Sequence, residues 1–147
     1  MVPLLREKLR AIRPSPWVQP DVSAPLQTFM GRDSWRVAIA SMLLCRTRRI
    51  RVEWVMLDLL KRWPGPEYLC RADAEEVERV VRRCGLHRTR ARQLIRFSCL
   101  YLGDGWEELQ ELPGVGVYVA DAVGLFCLGC TELESKDAIL RAYVQGD

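Results

Sequence analysis

The residues with the clearest chemical reading lie in Leu109-Gln-Glu-Leu-Pro-Gly-Val-Gly-Val-Tyr-Val-Ala-Asp-Ala-Val123. The spacing predicts that Leu109 and Leu112 close one short helix. Gly114-Val115-Gly116 then make a tight turn, with Ala120 and Val123 on the packing face of the next helix. Glycine suits such a turn because it adopts φ > 0 and leaves no side chain in the way of an approaching ligand. The segment Leu112, Gly114, Val115, Gly116 would present backbone N–H groups at a helix N-terminus, a site for an anion such as a DNA phosphate. The plain alternative is a glycine-rich corner between two helices.

Further along, Ser135 as an N-cap would put Asp137 in the first turn of a helix, where the dipole favours an ionised carboxylate. By itself that is ordinary capping chemistry. Cys127-Leu-Gly-Cys130 has a metal-like spacing, but no second pair follows it and His87 is the chain's one histidine. The other cysteines, Cys45, Cys70, Cys84 and Cys99, mostly sit within or at the ends of helical patterns, as small apolar residues do. Neither a metal site nor a disulfide framework is expected.

These groups must be positioned by a chain of 147 residues, 49% hydrophobic and 28% charged, which fits one globular domain with a real core. The net charge of +3 is too modest to imply nucleic-acid binding. Of the 22 basic residues, however, only Lys8, Lys61 and Lys136 are lysine. Arginine suits bidentate phosphate contact, although a GC-rich genome would give the same bias. The runs Arg46–Arg51 and His87–Arg92 are the dense basic clusters, and both are expected between helices as solvated charge. No apolar run is long enough to span a membrane and no signal-peptide core is visible, so the expected location is intracellular.

The elements read as helical throughout. Trp35, Ala38, Ile39, Met42 and Leu43 repeat at helical spacing behind Asp33 or Ser34, and Val37, Ala40 and Leu44 make that helix apolar nearly all round. It should therefore be central and buried. Val52 to Trp63 forms a second stripe, ended by Pro64-Gly65-Pro66. Asp73-Ala-Glu-Glu76 caps a helix through Val77, Val80 and Val81, closed by Gly85. Thr89 is the expected cap of a helix carrying Ala91, Leu94, Ile95 and Leu102. A first helix covers Leu4 to Ile12, and residues 14–25 are Pro-rich and irregular.

From Gln27 to Tyr143 the sequence resembles the helix–hairpin–helix DNA glycosylases of the endonuclease III superfamily. It is most similar to the mismatch-specific thymine/uracil branch typified by the methyl-CpG-binding thymine glycosylase catalytic domain. The resemblance rests on Trp35-Arg-Val-Ala-Ile-Ala-Ser-Met-Leu-Leu-Cys-Arg-Thr47, Cys84-Gly-Leu-His-Arg-Thr-Arg-Ala91, the hairpin, and Ser135-Lys-Asp-Ala-Ile-Leu-Arg-Ala-Tyr143, in family order. It implies an all-α, two-lobed fold with double-stranded DNA across the cleft. Residues 1–147 would form one catalytic domain, the middle lobe about 33–129 and the second lobe 1–32 with 130–147.

The resemblance also implies roles. Asp137 stands where the family has its catalytic aspartate, a fixed carboxylate beside the positive charge that develops on the sugar. Tyr118 replaces the Schiff-base lysine of the strand-cleaving members; a phenol forms no imine, so the base is released and the strand left uncut. Gln27 matches the residue that reads the pyrimidine edge. Arg46 and Leu86 match the side chains that fill the duplex when a base is extruded. The chain lacks the iron–sulfur cysteines of much of the superfamily, so no cofactor is expected, and Cys45 stands where methyl-CpG-type enzymes have Asn. The expected function is a monomeric, monofunctional thymine/uracil DNA glycosylase of base excision repair. The alternatives are an adenine or alkylated-base glycosylase, or a non-catalytic DNA-binding module.

Overall fold

The computed structural model describes residues 4–146, and among them there are helices, short 3-10 turns and no strand. The helices are α1 (Leu5–Ala11), α2 (Ser34–Leu44), α3 (Arg49–Arg62), α4 (Pro66–Leu69), α5 (Ala74–Val81), α6 (His87–Leu102), α7 (Val117–Leu128) and α8 (Ala138–Gln145). The fold is all-α, as the periodicity predicts.

Helix α2 is the axis of the molecule. Asp33 caps it, its Oδ1 accepting from the Arg36 amide at 3.0 Å, and only Arg36 and Leu44 escape full burial. An all-round apolar helix must be covered on every side. Helix α7 packs along one flank of α2, with α3 and α6 on another. Helices α3 to α6 pack among themselves through Val52, Val55, Val77, Val81, Leu94 and Phe97, all buried. The two regions share one continuous apolar core.

The N-terminal part is tied on by arginines. The Arg10 guanidinium donates to the carbonyls of Tyr101, Leu102 and Gly103, which the end of α6 leaves without helical partners. The Pro-rich segment is irregular, as expected, but held: Arg36 donates to the Ser15 carbonyl at 2.9 Å and Arg49 to the Ala24 carbonyl at 2.6 Å. This delivers Gln27, in the 3-10 turn Leu26–Phe29, against α2 and α7.

Four expectations are corrected. Pro64-Gly65-Pro66 does more than end α3, because Pro66 opens the short helix α4. That helix brings Cys70 to Cys99 on α6, where the two form a disulfide with Cα atoms 4.8 Å apart. Thr89 does not cap α6. The chain reverses earlier, at Gly85 (φ 70°) and Leu86 (φ 46°), and the Leu86 carbonyl accepts from the Arg90 amide at 2.9 Å. The basic run His87–Arg92 is thus helix, and Arg90 within it is buried.

Candidate functional site

A cavity of about 560 Å³ opens where the 3-10 turn, the end of α2, the start of α7 and the start of α8 meet; its lining includes Gln27, Cys45, Arg46, Tyr118, Lys136 and Asp137. These residues come from four separate stretches of sequence. The fold brings Gln27, Tyr118, Asp137 and Arg46 together, whereas Leu86 and the hairpin glycines lie outside the lining.

Asp137 is itself the N-cap of α8, not a first-turn residue behind a Ser135 cap. Its Oδ2 accepts from the Leu140 amide at 2.9 Å, and the Ser135 hydroxyl accepts from the Asp137 amide at 3.0 Å. Ser135 is in turn fixed by its own amide donating to Asp121 on α7 at 2.6 Å. The carboxylate is therefore locked in orientation while lining the cavity.

Tyr118 sits in the first turn of α7, half-buried. Burial pushes its phenol up to about 12; the Asp137 charge adds to the rise and a hydrogen bond from Gln27 opposes it. At neutral pH the phenol is protonated. The Gln27 side chain, 3% exposed, donates through Nε2 to Tyr118 Oη at 2.9 Å and to Ser41 Oγ at 3.3 Å. Burial likewise raises the Cys45 thiol, against the lowering effect of Arg90 and Arg46. Lys136 is exposed and is the one lysine of the cavity lining. It adjoins Asp137 in residues 135–137, which precede α8 and are not helical.

Arg46 and Leu86 share a property that no periodicity reveals. Both are non-glycine residues with positive φ, 63° and 46°, a left-handed backbone that costs an ordinary side chain about 1–3 kcal/mol. Both side chains project to solvent, and Leu86 is 66% exposed, not a core leucine. Arg90 holds the first of these turns by donating to the Leu43 carbonyl at 2.7 Å and to the Cys45 carbonyl. Arg48 and Arg51 add further positive charge beside Arg46, Cys84 and Gly85.

The hairpin has the expected frame, with Leu109, Leu112, Val115 and Val123 buried. Its two glycines serve different ends. Gly114 has φ 81°, and a Cβ there would stand 2.5 Å from Met42 Cε and 2.7 Å from Gln93 Cδ. Gly116 has an ordinary extended backbone and faces open space, so what its missing side chain permits is approach from outside. The amides of Leu112 and Val115 are already engaged with the carbonyls of Leu109 and Leu112. Gly114 and Gly116, with the first turn of α7, are the hairpin positions whose amides remain to meet an anion.

Sequence reasoning missed Ser41 and Arg90. Ser41 was signalled as a polar residue on the apolar stretch Val37–Leu44 of α2, while Arg90 was hidden within a charge run. Among the described residues no three His, Cys, Asp or Glu side chains gather as a metal set. With Cys70 and Cys99 paired, and the free Cys45, Cys84, Cys127 and Cys130 not gathered as a ligand set, the cysteines present do not fit an iron–sulfur cluster.

Comparison with known proteins agrees with this arrangement. Residues 39–142 match the model of the HhH-GPD superfamily base excision DNA repair proteins. The chain is 33% identical over 137 residues to a methyl-CpG-binding domain protein 4-like protein of Arabidopsis thaliana, covering 92% of this chain and 31% of that one. It is 36% identical over 107 residues to a thymine-DNA glycosylase of Aeropyrum pernix, covering 68% and 48%. An adenine DNA glycosylase of Mycobacterium tuberculosis is 31% identical over 124 residues, covering 80% and 37%. The chain thus spans less than half the length of each of these relatives. The fold is similar to that of a thermostable thymine-DNA glycosylase (TM-score 0.66, 22% identity, 86% of this chain and 57% of that one). It is also similar to endonuclease III in a trapped covalent DNA complex (TM-score 0.60, 27% identity, 65% and 48%). The helical architecture is that of the helix–hairpin–helix glycosylases, and the chain belongs to the HhH-GPD superfamily of base excision DNA repair proteins.

Proposed function

We propose that this protein is a monofunctional DNA glycosylase that excises thymine or uracil, opposite guanine, from double-stranded DNA. The observation that carries the reading is the convergence of Gln27, Tyr118 and Asp137 on one cavity. DNA lies across the face bearing the hairpin, Arg46 and Leu86. Backbone amides at Gly114 and Gly116 take a phosphate, while Arg46 and Leu86 occupy the duplex as the target nucleotide rotates into the cavity.

Inside, the amide of Gln27 and the phenol of Tyr118 meet the polar edge of the pyrimidine. One Asp137 oxygen is held by the Leu140 amide, and the other faces the sugar. As the N-glycosidic bond breaks, its electron pair leaves with the base and positive charge grows on the sugar. The fixed carboxylate stabilises that charge, orients the water whose oxygen bonds to the anomeric carbon, and accepts the proton that water sheds. Tyr118 forms no imine, so the product is an abasic site in an intact strand. The protein acts as a monomer and without a metal or cluster.

Duplexes carrying G·T, G·U, A·U or 8-oxoguanine·A test this reading. Labelled G·T and G·U strands should break only after hot alkali. Breakage without alkali, or borohydride trapping of a protein–DNA adduct, would assign Lys136 a nucleophilic role and overturn the monofunctional reading. Excision of adenine alone would favour the second reading, which the similarity to an adenine glycosylase supports.

A further inference from the structure

Ser41 is buried completely on α2, inside a largely apolar helix, and touches no solvent from which to borrow a hydrogen bond. Its hydroxyl donates to the Val37 carbonyl at 2.7 Å. A carbonyl oxygen only accepts, and a hydroxyl has one proton. Toward Gln27 the Ser41 oxygen is therefore an acceptor and nothing else. The Gln27 atom facing it at 3.3 Å must be the donor, Nε2. The second proton of that nitrogen goes to Tyr118 Oη at 2.9 Å.

Two consequences follow inside the cavity. Both Gln27 N–H bonds are engaged with protein, so the group it can offer a ligand is its carbonyl Oε1, an acceptor. Tyr118 accepts from Gln27, and with its phenol protonated at neutral pH it retains one O–H to donate. An acceptor beside a donor complements a ring edge that has N–H next to C=O. Uracil and thymine have that edge at N3 and its neighbouring carbonyls. Cytosine has a bare acceptor at N3 and would face Oε1 with lone pair against lone pair, a mismatch that costs a buried site heavily.

We infer that Ser41 is a positioning residue that sets the polarity of the site: by accepting from Gln27 it turns Oε1 toward the substrate and selects pyrimidines protonated at N3. The inference rests on the proposed glycosylase function and adds to it the group that excludes cytosine. Ser41 itself touches no substrate.

The test compares single-turnover excision of 5-fluorouracil and 5-fluorocytosine, each opposite guanine, by the full chain and its Ser41 variants. The two bases share the same electron-withdrawing substituent, and the contribution of base pairing cancels when the ratio of rates is compared between variants. Ser41→Ala frees the amide to rotate, so the fluorouracil-to-fluorocytosine ratio should fall about tenfold. Ser41→Thr keeps the hydroxyl and should restore the wild-type ratio. Ser41→Cys, of similar size but a poor acceptor, should follow Ser41→Ala and carries the test if the alanine variant does not unfold cooperatively. An unchanged ratio in folded, active Ser41→Ala or Ser41→Cys would overturn the inference and leave the proposed function standing. Wild-type protein that releases neither base would overturn both.

Discussion

The Thr47 hydroxyl donates to the Cys84 carbonyl at 3.0 Å, lacing the turn that carries Arg46 to the turn that carries Leu86. Arg90 completes the brace. Its guanidinium grips the first turn at the Leu43 and Cys45 carbonyls, and its own amide closes the second by donating to the Leu86 carbonyl. Two strained backbones are thus held at a fixed separation on one rigid frame, as the proposed entry of both side chains into a duplex requires.

Arg90→Met removes the guanidinium and leaves the buried Leu43 carbonyl and the part-buried Cys45 carbonyl without it. Thermal unfolding should show a loss of about 3 kcal/mol, since hydrogen bonds from a charged donor contribute about 1.5–3 kcal/mol each. Thr47→Val should cost about 1 kcal/mol. Both should slow excision from duplex DNA by more than the fraction unfolded explains. Wild-type rates in Arg90→Met would show that the brace serves stability alone.

The two hairpin glycines should separate folding from binding. Gly114→Val meets both a positive φ and the Met42 and Gln93 side chains, so it should lower the melting temperature of the free protein markedly. Gly116→Val meets neither and should cost the free protein less than about 1 kcal/mol. It should nevertheless weaken all duplexes similarly, because the hairpin contacts phosphate and not sequence. Equal loss of stability in the two variants would contradict this division.

How much of this was legible in the sequence follows from what kind of signal each residue carries. Helix α2 was visible because complete burial leaves an all-round apolar pattern, and the α5 cap because Asp73 and its acidic first turn are a local code. Local codes also misled. Thr89 looks like a cap, but the left-handed Leu86 begins α6 earlier, and left-handed leucine has no sequence signature. Arg90 sits in a run that reads as solvated, and only the tertiary approach of α6 to the end of α2 buries it. Asp137, Tyr118 and Gln27 are separately unremarkable types, and their meeting depends on the packing of α7 and α8 and on the arginines that hold the Pro-rich segment.

Tyr118 gives the pH dependence a definite sign. The folded state holds the phenolic proton up to about 12, above the usual phenol value of about 10 in an unfolded chain. Its contribution to stability is therefore complete below about pH 10 and is lost as pH rises through about 12. Tyr118→Phe should flatten part of that alkaline decline without abolishing it, because burial also raises the Tyr101 phenol and the Cys127 thiol. Melting temperatures between about pH 9 and pH 12 measure it. A steeper decline in Tyr118→Phe would contradict the assignment.

Asp137→Asn is the most direct test of the central claim, because the structure already gives Asp137 a second role. Its Oδ2 caps α8, and asparagine caps a helix as well as aspartate does. The substitution therefore keeps the cap and removes the charge. Single-turnover excision of thymine or uracil opposite guanine should fall at least about a thousandfold, or about 4 kcal/mol of transition-state stabilisation. On the same protein the melting temperature should be nearly unchanged, and affinity for the mismatched duplex should persist or rise as a carboxylate facing polyanionic DNA is neutralised. A variant that binds, melts and excises like wild type would show that Asp137 is a helix cap and that the chemistry lies elsewhere.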